Sequence, residues 1–297
     1  MKLIALKIDV DTAQAIRSGL PRIIPLLQSR AMGATFFWSL GSERNGQFLR
    51  PALGLKKMPG ASKISLKQRY GTAALLLGSF RPVRRLEKMV KACVGELKDA
   101  GYEHALRPLN RYEWQRGIRQ WDASETELAY EKALHCFERI VGEKPVAHAA
   151  FGAQMNRTAF RLHQLNGLKF ASDCRGLSPF WPIVQGEYLR CVQIPVTLPM
   201  LEDLLPEMGT DQAVDEILQL SAVGETHVFN LAADLDANFI PQLERLFDGW
   251  LAQGYQVVSL GQMYAGLDLA LLPYHHVEQK SIRGRVGEAA VQGEPYP

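Results

Sequence analysis

The chain has 297 residues, 47% of them hydrophobic and 22% charged, with a formal net charge of +3, a make-up that suits one large α/β domain. Only four apolar residues stand between Lys2 and Lys7, too few for a secretory core, and no apolar run approaches the roughly 18 residues of a membrane span, so a cytoplasmic protein is the default expectation. Cys93, Cys136, Cys174 and Cys191 have no CxxC or other metal spacing, which argues for reduced, packed thiols.

Strand-like runs alternate with helical patterns from the start. Leu3–Ile8 reads as a strand, 13–30 as a helix and 34–39 as a second strand. The stretch from about 41 to 83 is the least regular and reads as an insertion over one end of the fold. From Arg50 to Lys91 it and the helix after it carry Arg50, Lys56, Lys57, Lys63, Lys67, Arg69, Arg81, Arg84, Arg85, Lys88 and Lys91 against a single acid, Glu87. Apolar residues are interleaved with these cations, as a surface meeting anionic lipid or a lipid-linked phosphate requires; a solvated basic insertion fits equally. No nucleic-acid-binding motif accompanies the patch, so nucleic acid is not an expected partner. A helix over 84–100 stops at Gly101, and 102–106 is a strand. Asp122 and Glu125 form a capping box for the next helix. A strand at 146–151, a helix at 157–166 capped by Asn156, strands at 169–172 and 189–194, a helix at 211–220, a strand at 227–232, a helix at 239–253 and a strand at 255–260 complete the series. The tail from His275 reads as a loose surface extension, so a single domain is expected over 1–270 with an extension at 271–297.

About eight strands separated by helices argue for a distorted (β/α) barrel of seven or eight parallel strands. Chemistry in such barrels sits at the C-terminal ends of the strands, which would bring Asp9, Asp11, Arg107, Gln154, Asp173 and Ala232 to one mouth. Asp9 and Asp11 are the most informative pair, because two carboxylates at a strand end can supply a general base and a metal ligand. Asp173 and Arg175 are candidates to position a sugar hydroxyl or phosphate, or form an ion pair that shapes their loop. Gln154 and Asn156 are candidate substrate contacts, with Asn156 equally suited to a helix cap. Trp38, Trp114 and Trp181 suit either a glycan cleft or the core. Alternation turns His104 away from Arg107. His148 reads as a core histidine, and His135, His163, His275 and His276 as surface or interface residues.

Six stretches carry a likeness to a known family: KIDVDT (7–12), ATFFWSLG (34–41), YEHALRPLNRYEWQ (102–115), SDCRGLSPFWP (172–182), IPVTLP (194–199) and HVFNLAADLD (227–236). With them the chain resembles the polysaccharide deacetylases and, within these, the formamido-arabinose phosphoundecaprenol deformylases of lipid A modification. The resemblance implies a distorted barrel and a substrate whose N-formylated amino sugar is attached to polyprenyl phosphate. It also implies Asp9 as general base and Asp11 as ligand to a divalent metal, beside an HxxxH pair and a histidine acid. Residue matching puts the HxxxH pair on Arg107 and Arg111 and the acid on Ala232.

These departures carry a physical consequence. A guanidinium stays protonated and has no lone pair for a metal, and a catalytic zinc needs about three protein ligands. No cofactor is therefore expected, and a divalent metal such as zinc only if the site is rebuilt. Arg107 and Arg111 are expected to pair with Asp9 and Asp11 and fill the metal cavity. The expected function is a deformylase-family protein impaired or inactive in amide hydrolysis that keeps a binding role toward polyprenyl-linked amino sugars at the membrane's inner face. The alternatives are an active amide hydrolase with a rearranged site and a non-catalytic scaffold on an anionic membrane surface.

Overall fold

The computed structural model describes residues 1–49, 58–76 and 84–296. Its strands are β1 (Leu3–Val10), β2 (Thr35–Trp38), β3 (Ser42–Glu43), β4 (Arg84–Arg85), β5 (Glu103–Leu106), β6 (Ala147–His148), β7 (Phe170–Ala171), β8 (Trp181–Val184), β9 (Glu187–Tyr188), β10 (Val192–Gln193), β11 (Thr226–Ala232), β12 (Gln256–Val258), β13 (Tyr274–Ser281) and β14 (Glu288–Pro295). The main sheet runs β10-β7-β6-β5-β2-β1-β11, all parallel. The N-terminal half of β1, Leu3–Ala5, pairs with β12, while its C-terminal half, Lys7–Val10, pairs with β2. The sheet curls until the backbone N–H groups of Thr197 and Leu198, just past β10, donate to Val228 O of β11. This is the distorted (β/α) barrel expected from the alternating pattern.

Strand parity sorts the side chains. Ala5, Phe37, Ala105, Phe170, Val192, Val228 and Val258 fill the barrel interior, while Ile4, Leu6, Ile8, Phe36, Trp38, Phe229 and Leu231 pack outward under the helices. On β1 the interior row continues through Lys7 and Asp9, both buried. Parity thus carries Lys7 and Asp9 into the barrel at its C-terminal mouth.

The expected helices form with small shifts of boundary. The first opens as a π-turn over Ala15–Gly19 before the regular helix Leu20–Ser29. A Cβ on Gly19 would lie 2.2 Å from Ala233 O, so only glycine lets this turn sit against the short helix Ala233–Asp236 beyond β11. Helix Ala123–Val141 carries the Asp122–Glu125 capping box and ends at left-handed Gly142. Asn156 caps helix Arg157–Leu165 by accepting Ala159 N–H. The helix Arg111–Gly117, absent from the sequence reading, starts at Asn110, whose side chain accepts Glu113 N–H.

The tail is not a loose extension. β13 and β14 form a hairpin that joins β8 and β9 in a second sheet, and Ala289 and Ala290 are fully buried. The hairpin tip reaches the mouth, where Lys63 N–H donates to Gly284 O and Val286 N–H to Ala61 O. Of the expected insertion, 50–57 and 77–83 lie outside the described residues, and with them Arg50, Lys56, Lys57 and Arg81 of the basic stretch. Within the described part, helix Leu66–Leu75 buries Tyr70 and Leu75 with Phe48, Met58 and Tyr112. No helix of the described residues is long and apolar enough to cross a membrane, and all four cysteines are free.

Candidate functional site

Parity and loop length bring Asp9, Asp11, Arg107, Arg111 and Ala232 together at the mouth. Arg107, one residue past β5, directs Nη1 to Asp9 Oδ2 at 2.5 Å and Asp11 Oδ1 at 3.2 Å. Arg111 Nη1 stands 3.5 Å from Asp11 Oδ2. The Arg107 guanidinium lies over Phe151, 4.2 Å from its ring centroid, and Asn230 Nδ2 donates to Asp9 Oδ2 at 2.9 Å. Two carboxylates so close repel strongly, and the cation between them offsets that repulsion by about 4 kcal/mol per pair at 4 Å and an effective dielectric of 20. Ala232 puts a methyl group against Ile64, Met200 and Leu235, so nothing at that position can carry a proton.

The two acids titrate in opposite directions for a structural reason. Burial opposes charge on both, but Arg107, Lys7 and the Asn230 amide together outweigh it at Asp9, whose carboxyl falls below its ordinary value. At Asp11 burial prevails, reinforced by Asp9, and the carboxyl is pushed up to about 6. Beside them Lys7 is driven down to about 8, by burial first and Arg107 second; its ammonium donates to Ser172 O at 3.0 Å.

A second tier of ion pairs rings the mouth. Arg69 joins Glu202 and Asp234 at 2.9 and 2.6 Å. Arg285, from the hairpin tip, pairs with Glu202 and with Asp203, and Arg175 pairs with Asp203. The tip sits so tightly that a Cβ on Gly284, at φ +71°, would lie 1.9 Å from Asp203 O. Lys7, Asp9, Arg107, Arg111, Glu202 and Arg285 are among the residues that line a cavity of about 470 Å³, its open mouth included. Lys7, Glu202, Asn230 and Arg285 were not foreseen. The parity of β1 could have flagged Lys7 and that of β11 Asn230, whereas Arg285 is brought in only by the hairpin.

The other expected contacts are placed differently. Arg175 lines the cavity, but its partner is Asp203 and not Asp173. The Asp173 carboxylate accepts from Ala150 N–H at 2.7 Å and meets His148 Nδ1 at 2.8 Å and His163 Nε2 at 2.7 Å. Gln154 and Asn156 do not line the cavity. Gln154 Nε2 donates to Glu288 O and Gly152 O, and Asn156 Nδ2 to Ile118 O and Thr126 Oγ1. Trp38 and Trp114 are core residues, and Trp181 lies in the second sheet. His163 is fully buried and bonded to Tyr130, not at a surface, and His275 lies in the hairpin with Nδ1 bonded to Gly293 O. His104 faces outward as alternation requires and accepts Trp38 Nε1–H at 2.8 Å.

Two clusters bear on whether the chain could hold a divalent metal. At the mouth, guanidinium groups occupy the positions that would have to donate lone pairs. His148, His163 and Asp173 lie close enough to share an ion, yet each nitrogen facing the carboxylate forms a direct hydrogen bond to it. The other nitrogen of His163 meets Tyr130 Oη at 2.8 Å. Burial also pushes His148 down to about 4, so a neutral imidazole donating Nδ1–H to an ionised Asp173 accounts for the geometry. This is a buried hydrogen-bonded network in which His148 Nε2 has no partner among the described residues.

No family model matches the chain. It is 28% identical over 246 residues to the "Probable 4-deoxy-4-formamido-L-arabinose-phosphoundecaprenol deformylase ArnD" of Shewanella sediminis, covering 81% of this chain and 78% of that one. A provisionally assigned polysaccharide deacetylase from Mycobacterium smegmatis superposes with a TM-score of 0.63 at 14% identity, covering 94% of both chains. A CE4-family pseudoenzyme from Bacillus anthracis superposes at 0.53 with 12% identity, over 93% of this chain and 70% of the other. The fold is that of the polysaccharide deacetylase superfamily.

Proposed function

We propose that this chain binds an N-acylated amino sugar carried on polyprenyl phosphate and does not perform metal-dependent amide hydrolysis. The substrate class follows from the similarity to the Shewanella sediminis protein, whose name specifies a formamido-arabinose on phosphoundecaprenol. The loss of hydrolysis rests on one observation above all: the Arg107 guanidinium bridges Asp9 and Asp11. A dication entering that space would have to displace a buried cation, and Ala232 offers no proton to a leaving amine.

Elemental analysis of the purified chain, paired with an assay for formate released from a formamido-arabinose phospholipid, tests this reading. The expected result is substoichiometric zinc and no formate, with the lipid still bound. Stoichiometric zinc with turnover would overturn it.

One observation favours a second reading, hydrolysis from a rearranged site. Asp9 is held ionised, and its Oδ1 has no partner among the described residues, so a base remains. That reading requires formate release that Asp9→Asn abolishes.

A further inference from the structure

The mouth arginines differ in how fully their charge is matched. Arg69 has two carboxylates within 3 Å. Arg285 is paired with both Glu202 and Asp203, and Arg175 with Asp203. Arg107 lies 2.5 Å from Asp9. Arg111 has no such match. Its Nε donates to the neutral Gln115 Oε1 at 3.2 Å, and its guanidinium rests near the rings of Phe151 and Tyr70, 5.8 and 6.0 Å from their centroids. Among the described residues the only acid within 4 Å of it is Asp11, at 3.5 Å and already shared with Arg107, while Glu202 acts on it from farther off. Gln115 and the two rings hold this cation in place, Asp11 and Glu202 offset its charge only from 3.5 Å and beyond, and its Nη2 donates no hydrogen bond among the described residues. Arg107, 3% exposed, has an Nε without a partner among the described residues. Both arginines line the same cavity.

We propose that Arg111, backed by Arg107 Nε, forms an oxyanion seat that takes the phosphate group of a sugar phosphate. A planar guanidinium presents paired N–H donors at the spacing of phosphate oxygens. A position that serves a metal cation in the family thus holds an anion in this chain. The inference deepens the reading above by naming the group the mouth holds, and rests on that reading for the sugar alone.

Calorimetric titration of the full-length chain with inorganic phosphate, L-arabinose 1-phosphate and L-arabinose separates the two claims. Wild type is expected to bind both phosphates at one competing site, with the sugar phosphate tighter. Arg111→Gln should weaken both by about tenfold or more, the loss of one charge-assisted contact. Arg111→Lys, which keeps the charge, should lose less, and Arg30→Gln, remote from the mouth, should change neither; circular dichroism checks that each variant is folded. Unaltered phosphate affinity in Arg111→Gln, or no phosphate binding by wild type, overturns the seat. If the sugar phosphate binds no tighter than inorganic phosphate, the seat stands and the sugar reading falls.

Discussion

Asp9 and Asp11 are two residues apart on one strand end and share one guanidinium, yet they respond to pH in opposite ways. Asp11 titrates near 6 in the folded chain against an ordinary value of 3.8. Between those values the folded state holds a proton that the unfolded chain has released, so this group makes stability fall as pH rises from about 4 to about 6. Asp9, whose pKa is depressed, contributes stability that is present above its ordinary value and is lost as pH falls below it. Asp11→Asn removes the first effect and leaves the second. Relative to wild type, the variant is expected to gain stability as pH rises through that window, read as a shift in urea midpoint between about pH 4.5 and about pH 7.5. Parallel behaviour of the two proteins would mean that Asp11 keeps an ordinary carboxyl.

At the scale of elements, capping and parity place the functional groups. Asn156 accepts Ala159 N–H to open its helix and donates to Ile118 O and Thr126 Oγ1 of neighbouring segments. Its polar atoms are all engaged in holding one element to another. Asn156→Ala should therefore lower stability by about 1–2 kcal/mol in denaturant unfolding and leave ligand affinity unaltered; an affinity loss in a variant of wild-type stability would restore it as a substrate contact. The C-terminal hairpin acts over longer range. Its strands complete the second sheet, and its tip delivers Arg285 to acids that lie about 80 positions earlier in the chain. No local pattern announces such a pairing, since β13 and β14 are short of apolar alternation and carry Gly and charge as loops do.

For the whole molecule, the decisive property is the sign of charge fixed at the mouth. A structural or catalytic metal raises the unfolding temperature of the state that binds it. Neither added zinc nor EDTA should shift the melting midpoint of this chain. Replacing Arg107, Arg111 and Ala232 together with histidine supplies the imidazole donors that the resemblance implies, and that variant is expected to show a zinc-dependent rise in midpoint. No rise would mean that the mouth has diverged beyond those three positions, the interlocked Arg69, Glu202 and Arg285 pairs being the first suspects.

The barrel was legible in the residues because its signals are local: two-residue alternation in the strands, 3.6-residue faces in the helices, and caps such as Asp122 and Asn156. The meeting of Arg107 and Arg111 with Asp9 and Asp11 was legible too, because parallel strands deliver their C-terminal ends to one place. Tertiary structure alone decided the rest. His163 became a buried partner of Asp173, the tail brought Arg285 into the ion pairs of the mouth, and Arg111 was left the least matched arginine there. Each of these depends on which distant groups share a low-dielectric space, and that is set by packing and not by spacing along the chain.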